Sequence, residues 1–551
     1  MIFIDSARNS VISSTRRSLS KVQSIHFLLF TSSFTLFYIS VFHFNAAFNS
    51  GSNFFSRTPQ TDANFSAFLH STAIHNLSTS KLRNDHLFIT TPIYYEDPKS
   101  FHRPTIAVVA AADKAFSPRS LLCTAYRNGH KRVTLGSIQK ITFTPYCKWA
   151  TYLVLCPVQS KIETFGISTT HSEEPLTLNF IRADSLRRSV VVCMSRMFLY
   201  ENWQILLTTL EIYRYYGVDL LVAYIDSIVA GAYELLQVYA KEGLVMIEPS
   251  VKIYHNEDMA FNPNDESEWG NQMIVYNHCL YRFRESAEFV VFADWDDVLV
   301  PRGSDGGMVD SLRTLFDANS RAGAFQLHRM STTVFAAADP KHFDLTTTLT
   351  TMHVSEFFGP GKVVAIPSRI KGAWVHKPSV YEYGYQLAYA RTHQSWFYHL
   401  RILSTYKEKP PKDAKIRPNE LNSSEIVKSF NEFYKSKNID QIFTKLPTSQ
   451  TYLIEMEKCY KEIAHIFNLN SHGHCPNQAF CPVPQLPIDC INVSHEFAER
   501  RMANTMLVSY RTKSEFLFSR TAHEKIVALS RGISNWTGLG FTMTLRVLVA
   551  V

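Results

Sequence analysis

The stretch that decides the fold is FVVFADWDD, residues 289–297. Its four apolar residues at 289–292 are typical of a buried strand, and three carboxylates follow where that strand ends. Side chains at positions i and i+2 of an extended chain project from the same side, so Asp294 and Asp296 are predicted to act as a pair. Two such carboxylates suit Mn²⁺ or Mg²⁺, and the cation in turn suits a diphosphate. The alternative is a solvated acidic turn.

Strand-like and helix-like segments alternate on the N-terminal side of this stretch. Such alternation predicts an α/β fold with a Rossmann-like, mostly parallel sheet and right-handed crossovers. Ligands of these sheets bind beyond the carboxyl ends of the strands, so Asp226, which closes the second strand, is predicted to contact substrate. The predicted strands are 190–194, 220–225, 244–247 and 289–292, and the predicted helices are 203–217, 232–241 and 273–283.

The composition indicates a globular protein with a modest basic charge. The chain has 551 residues, of which 46% are hydrophobic and 19% charged, and its formal net charge is +8. A chain of this length forms one large or two ordinary domains. No basic stripe interleaved with aromatic residues is present, so no nucleic-acid partner is predicted.

The N-terminal region predicts a membrane anchor. Residues 25–44 are mostly apolar and contain no Asp, Glu, Lys or Arg. A run of this length crosses a bilayer as a helix. Basic residues precede this run and none follows until Arg57, so residues 1–24 are predicted to be cytosolic and the rest of the chain luminal. A cleaved signal peptide is the alternative. The preceding basic residues are Arg8, Arg16, Arg17 and Lys21.

The remaining chain is predicted to divide into four parts. These are a Ser-, Thr- and Asn-rich stem at 45–100, a β-rich lead-in at 101–185, a catalytic domain at 186–465 and a Cys-containing tail at 466–551. All nine cysteines follow the anchor, where disulfides are stable, so disulfides are favoured over zinc. An odd total leaves at least one free thiol or one intermolecular bond.

Residues 185–465 resemble glycosyltransferase family 92. The resemblance rests on the ordered strands and helices, the acid cluster followed by Pro301, the segment 362–367, His376 and the His399-Leu400-Arg401 triplet. One departure is Leu400, where the family usually has Tyr. Family members are type II membrane enzymes with a GT-A fold. The anchor and the family resemblance together imply a Golgi location, with retention in the endoplasmic reticulum as the alternative. The resemblance implies inverting transfer of a sugar, with galactose expected, from a UDP-sugar to a glycan acceptor such as fucose on N-glycan cores.

The resemblance and the residue chemistry together suggest roles for further side chains. His399 or His376 would complete the metal shell. An inverting reaction needs a general base, for which Glu356 and Asp344 qualify by position alone. Binding of the substrate is predicted for Asp226, Asp297, Lys362, Trp374 and Arg401. Lys362 and Arg401 would contact the diphosphate, and Trp374 would stack on a sugar or base. Asp297 would instead cap the next segment or support the metal ligands.

Two other functions are left open. The Asp294-x-Asp296 pattern also fits the nucleophile loop of haloacid-dehalogenase-type phosphatases, although those enzymes carry it on their first strand and need a later acidic pair. A transferase-like membrane protein that only binds glycans or partner enzymes is the second alternative, because fold does not fix function. The sequence leaves oligomeric state open.

Overall fold

The structure is a computed structural model that describes the chain between residues 86 and 520. It omits 117–120, 143–145, 257–258, 260, 302–306, 392–395, 404–414, 417–420, 438, 449, 470–474, 479–480, 482–485 and 504–505. The predicted anchor at 25–44 therefore lies outside the described residues. Within the described part of the chain, no helix combines the length and the hydropathy needed to span a bilayer.

The described residues form strands β1 to β24 and helices α1 to α8. The strands are β1 (His86–Ile89), β2 (Ile93–Tyr95), β3 (Thr105–Asp113), β4 (Leu121–Arg127), β5 (His130–Lys140), β6 (Trp149–Pro157), β7 (Thr164–Ser168), β8 (Leu176–Leu178), β9 (Ile181–Arg182), β10 (Arg188–Met194), β11 (Leu220–Ile225), β12 (Ser227–Val229), β13 (Val245–Pro249), β14 (Ala287–Ala293), β15 (Asp297–Val300), β16 (Ala322–Phe335), β17 (His353–Ala365), β18 (Ile370–Gly372), β19 (Val380–Tyr381), β20 (Gln386–Tyr389), β21 (Trp396–Leu403), β22 (Lys415–Ile416), β23 (Cys490–Arg501) and β24 (Leu507–Ser519). The helices are α1 (Trp203–Tyr215), α2 (Ala230–Lys241), α3 (Gln272–Arg282), α4 (Gly307–Asp317), α5 (Leu345–Thr350), α6 (Ser423–Lys437), α7 (Asp440–Phe443) and α8 (Thr451–Leu469).

The central sheet carries the acid cluster. Its strand order is β13-β11-β10-β14-β17-β16-β21-β15, and β13, β11, β10 and β14 run parallel to one another. Val192 is in register with Leu221 on one side and Val291 on the other, so the predicted runs are adjacent and fully buried. The mixed α/β fold is thus confirmed. The sheet is less parallel than predicted because β17 pairs antiparallel with β14, and β15 pairs antiparallel with β21.

Helices cover both faces of the parallel half of the central sheet. One face packs on α1 and α2 through residues such as Val192, Leu206 and Leu236. The other face packs on α3, which is buried on every side over residues 273–281. A helix with that pattern belongs in a core between two layers. A disulfide between Cys193 of β10 and Cys279 of α3 ties this helix to the sheet.

The second sheet, here called the outer sheet, contains the predicted lead-in and more. Its order is β12-β23-β24-β1-β3-β6-β5-β4-β7-β8. This differs from the predicted division, because β1 and β2 lie inside the stem at 45–100, and β23 and β24 lie inside the tail at 466–551. The physical reason is burial: short apolar runs such as 86–89 are buried against both neighbours, β24 and β3.

Four disulfides connect described residues, so the prediction of disulfides is confirmed. Cys123–Cys156 lies within the outer sheet, and Cys459–Cys481 joins α8 to the chain that follows it. Cys147–Cys475 spans 328 residues of sequence. Cys490 is buried and unpaired, so the odd total leaves one free thiol.

Candidate active site

The acid cluster sits in a tight turn between β14 and β15. The N–H of Asp297 donates to the carbonyl of Asp294 at 2.9 Å, which closes the turn. Trp295 faces the core: its Nε1 donates to Ser195 O at 3.0 Å, and its own carbonyl accepts from Thr209 Oγ1 at 2.9 Å. These bonds turn the indole inward. The carboxylates on either side of it are left at the carboxyl end of the sheet.

Asp294 is neutralised within the protein by Lys362. The Nζ of Lys362 lies 2.6 Å from Asp294 Oδ2, and the other carboxylate oxygen accepts from Gln272 Nε2 at 3.0 Å and Tyr276 OH at 3.2 Å. Burial alone would raise the pKa of Asp294, but Lys362 outweighs it and holds that pKa below its usual value. Asp294 is therefore ionised and engaged by three protein donors.

Asp297 is the most buried of the three acids. Its Oδ1 accepts from Arg329 Nε at 2.6 Å and from His399 Nδ1 at 2.9 Å, and Lys362 Nζ lies 3.3 Å from Oδ2. Burial would raise the pKa of Asp297, yet Lys362, His399 and Arg329 together hold it far below its ordinary value. Asp297 is thus a buried anion kept charged by its cationic neighbours.

Asp296, Asp297 and His399 form a possible metal site. One ligand atom from each lies within 4.8 Å of the others. Two carboxylates and an imidazole make a donor set that accepts Mn²⁺. Asp297 Oδ2 is in ion-pair contact with Lys362 Nζ at 3.3 Å but accepts no hydrogen bond from a described residue, so it has a lone pair to offer. By this donor chemistry the residues fit a divalent cation.

The guanidinium of Arg329 lies against two members of this site. Its Nη2 lies 3.0 Å from His399 Nε2, while Nε contacts Asp297. An arginine only donates, so His399 accepts at Nε2 when its Nδ1–H is given to Asp297. Among Asp294, Asp296, Asp297, Lys362 and Arg329, three carboxylates face two permanent cations, which leaves a net charge of −1.

A second buried ionic cluster lies at the end of β11. Asp226 pairs with Lys252 Nζ at 3.0 Å and with Arg196 Nη1 at 3.4 Å. Burial would raise the pKa of Asp226, but Lys252 and Arg196 lower it below its usual value. Two cations against one carboxylate leave this cluster positive. The carboxyl ends of the parallel strands thus carry one cluster of each sign.

Comparison with known proteins identifies the domain that carries both clusters. The model of glycosyltransferase family 92 matches residues 188–457. Residues 188–457 belong to glycosyltransferase family 92. Two Caenorhabditis elegans relatives, glycosyltransferase family 92 proteins F13G3.3 and F59C6.8, are 24% and 26% identical over 78% and 80% of this chain and 89% of each relative. The similarity to these relatives extends over most of the chain and supports a glycosyltransferase.

Solved structures align with about half of this chain. Staphylococcus aureus TarS 1–349 is 13% identical, with 51% of this chain and 79% of that chain aligned and a TM-score of 0.23. The same protein in complex with UDP-GlcNAc gives 12% identity, 51% and 80% coverage and a TM-score of 0.24. TM-scores this low do not define a shared fold.

Three other predicted site residues of the family 92 domain, His376, Trp374 and Arg401, lie in different surroundings. His376 is outside the three-residue metal set, and its Nδ1–H donates to Gly361 O at 3.0 Å. Burial lowers the pKa of His376 to about 4, with Lys362 adding to the effect. Trp374 donates from Nε1 to Glu268 Oε2 at 3.1 Å, and Arg401 is exposed on β21.

The two predicted general bases differ in position. Asp344 is the N-cap of α5, where its two oxygens accept from the backbone N–H groups of Thr346 and Thr347. This capping engages both oxygens and lowers the pKa of Asp344 against the opposing effect of burial. Glu356 lies on β17, the strand that also carries Lys362.

Sequence reasoning did not identify several residues that the family 92 domain brings to the acids. Arg329 comes from β16, and Gln272 and Tyr276 come from the first turns of α3. Tyr200 has a buried hydroxyl with no hydrogen-bond partner among the described residues, and its ring centroid lies 6.2 Å from that of Trp295. The available signal was the i, i+4 spacing of Gln272 and Tyr276 on the buried helix α3.

Proposed function

We propose that this glycosyltransferase is a metal-dependent inverting enzyme that transfers galactose from a UDP-sugar to a glycan. Fucose on N-glycan cores is the proposed acceptor, and GT-A is the proposed fold type. The observation that carries the proposal is the convergence of Asp296, Asp297 and His399 at the carboxyl end of β14. Ligands of open parallel sheets bind at that edge.

The acid cluster supports metal-assisted departure of UDP. Asp296, Asp297 and His399 would hold Mn²⁺ or Mg²⁺, which when bound supplies positive charge to the leaving diphosphate. Lys362 and Arg329 keep the buried Asp297 ionised, so the carboxylate is ready to act as a ligand. Lys362 was predicted to contact the diphosphate, but its contacts with Asp294 and Asp297 favour a role in holding the acids.

The positive cluster supports binding of the rest of the donor. Arg196 and Lys252 exceed the charge of Asp226 by one unit, and Arg196 follows β10, the strand next to β14. We propose that UDP extends from this cluster toward Asp294. Such a placement puts an anionic ligand between a positive cluster and a cation site.

The general base and the cellular location are also proposals. Asp344 engages both carboxylate oxygens in capping, so Glu356 is the carboxylate that we propose to deprotonate the acceptor hydroxyl.

Four disulfides in the described residues support an oxidising compartment. Together with the predicted anchor at 25–44, they favour a type II membrane protein of the Golgi.

The test is UDP release by the purified full chain. A panel of UDP-sugars is assayed with Mn²⁺ or with EDTA, against fucosylated and plain glycans. We expect metal-dependent release with UDP-galactose that increases with the fucosylated acceptor. Release that persists in EDTA would contradict the metal assignment. Folded protein that binds UDP but releases none with any donor would favour a binding protein instead.

A further inference from the structure

The segment that leads into α3 has an unusual backbone. Trp269, Gly270 and Asn271 are consecutive and have positive φ angles of 50°, 59° and 74°. Left-handed conformations are uncommon for residues other than glycine, and they persist only where the surroundings enforce them. Here Trp269 N–H donates to Pro476 O at 2.8 Å, and Asn271 Nδ2 donates to Val251 O at 3.0 Å.

This left-handed turn lies between the two ionic clusters. A Cβ at Gly270 would lie 2.5 Å from Arg196 Nη2, so the turn packs directly on the arginine that pairs with Asp226. Gln272, the residue after the turn, donates to Asp294. The turn therefore positions Trp269 beside the two ionic clusters, and Trp269 is only partly buried.

Tyr460 of α8 lies next to Trp269. The two ring centroids are 6.2 Å apart and the planes are inclined by 50°, so the rings form an open angle and do not stack. Tyr460 is 39% exposed although it is a large aromatic residue. Desolvation of the hydroxyl raises the pKa of Tyr460 to about 12. Arg196 lowers this pKa, whereas Asp294 and Asp296 raise it. The hydroxyl is thus within electrostatic range of the acid cluster.

Disulfides fix the segment that supplies Tyr460. Cys459, the residue before it, is bonded to Cys481, and Cys475 is bonded to Cys147. Asn477, two residues after Cys475, donates to Ser267 O at 3.0 Å, beside the left-handed turn. Tyr460 lies outside the stretch 188–457 that matches the family model. A covalently fixed segment beyond the matched domain therefore borders the left-handed turn.

We propose that Trp269 and Tyr460 form an aromatic platform that binds a pyranose ring of the substrate beside the acid cluster. The inference rests on the proposed glycosyltransferase function. Pyranoses carry an apolar face of C–H groups, and aromatic side chains pack against such faces while leaving the hydroxyls free. The ring comes either from the acceptor glycan or from the sugar of the donor.

The test compares Tyr460→Leu with Tyr460→Phe and with the matched control Tyr383→Leu. Tyr383 is fully exposed, at 101% of its reference area, and lies in no ionic cluster. For the full-length chain, KM is measured for acceptor and for UDP-sugar, and Kd for UDP is measured by calorimetry. We expect Tyr460→Leu to raise one KM about tenfold, Tyr460→Phe to restore it, and Tyr383→Leu to leave it unchanged.

The outcomes separate the two sources of the ring. A rise in acceptor KM alone assigns the platform to the acceptor. A rise in UDP-sugar KM with unchanged UDP affinity assigns it to the sugar of the donor. Unchanged KM values, or an equal loss of UDP affinity, would overturn the platform. If the folded wild type transfers no sugar, the proposed function fails. Saturation-transfer NMR with galactose and fucosylated glycans, on wild type and on Tyr460→Leu, then decides whether the platform binds sugar. A signal that is lost in the variant supports the platform, and an equal signal overturns it.

Discussion

The Nζ of Lys362 lies 2.6 Å from Asp294 Oδ2, on a lysine with no exposed side-chain surface. The same ammonium lies 3.3 Å from Asp297 Oδ2. Burial would lower the pKa of Lys362, but Asp294 and Asp297 raise it above its usual value. One buried cation therefore binds two acids from the same turn, one at each end of the DWDD stretch.

Loss of this cation is expected to destabilise the fold. Lys362→Met removes the charge at similar volume and leaves two carboxylates without their main counter-charge. Breaking a buried pair costs roughly 3–5 kcal/mol, and the 28% exposure of the Asp294 side chain places the expected loss near the lower value, about 3 kcal/mol. Denaturant unfolding measures it.

A matched control is Lys371→Met. Its Nζ lies 3.5 Å from Glu382 Oε2, and its side chain is 34% exposed, so a loss of less than about 1 kcal/mol is expected. Equal losses in the two variants would show that Lys362 does not hold the acid turn together.

Asp296→Asn is expected to remove metal-dependent turnover without unfolding the protein. The Asp296 side chain is 38% exposed, and burial of its carboxyl group raises the pKa against the opposing effect of His399, so a neutral amide fits the site. A carboxylate ligand lost from the cation site should lower kcat by at least about 100-fold. Asp310→Asn, at a side chain that is 54% exposed, serves as the control and should keep wild-type activity. Wild-type turnover in Asp296→Asn would remove this residue from the metal site.

Mn²⁺ and UDP are expected to bind cooperatively. Lys362 and Arg329 reduce the acid cluster to a net charge of −1, so the protein alone offers a dication only weak attraction. The diphosphate adds negative charge, and coupling between two ligands is reciprocal. Saturating UDP should tighten Mn²⁺ binding about tenfold in calorimetry, and saturating Mn²⁺ should tighten UDP binding equally. Independent binding of the two would contradict a shared site.

The sequence predicted the parallel half of the central sheet well. Parallel strands covered on both faces are continuous apolar runs, and the runs at 190–194, 220–225 and 289–292 have that composition. The intervening helices were visible because their apolar positions recur every three to four residues. The pairing of β1 with β24 was not predicted, because these strands bury each other across more than 400 residues of sequence.

The candidate site was only partly predictable for a related reason. Asp294 and Asp296 stand in one short motif, whereas their partners come from distant strands and helices. Sequence proximity suggested Asp294 and Asp296 as the metal pair, but the cationic Lys362 from β17 lies on Asp294, and the possible metal set contains Asp297. Arg329 carries no local signal, because only the register of β16 against β21 places it beside His399.

Buried neutral histidines are expected to make the fold sensitive to acid. His278 on α3 contacts the hydroxyl of Tyr224 at 3.2 Å through Nδ1, and burial, aided by Arg282 and Arg511, lowers the pKa of His278 to about 3. A histidine pKa that is lower in the folded chain means that the unfolded chain takes up the proton first. Its contribution to stability is therefore complete above about pH 6.5, falls as the pH drops, and stops changing near pH 3.

His278→Gln removes the proton that this side chain takes up when the protein unfolds. Each such histidine contributes a slope of up to about 1.4 kcal/mol per pH unit, so the free energy of unfolding of the variant should fall less steeply between pH 6 and pH 4. Denaturant titrations at a series of pH values measure both slopes. His342→Gln, at a side chain that is 75% exposed, is the control and should retain the wild-type slope. A wild-type slope in His278→Gln would mean that this histidine does not link the packing of α3 to pH.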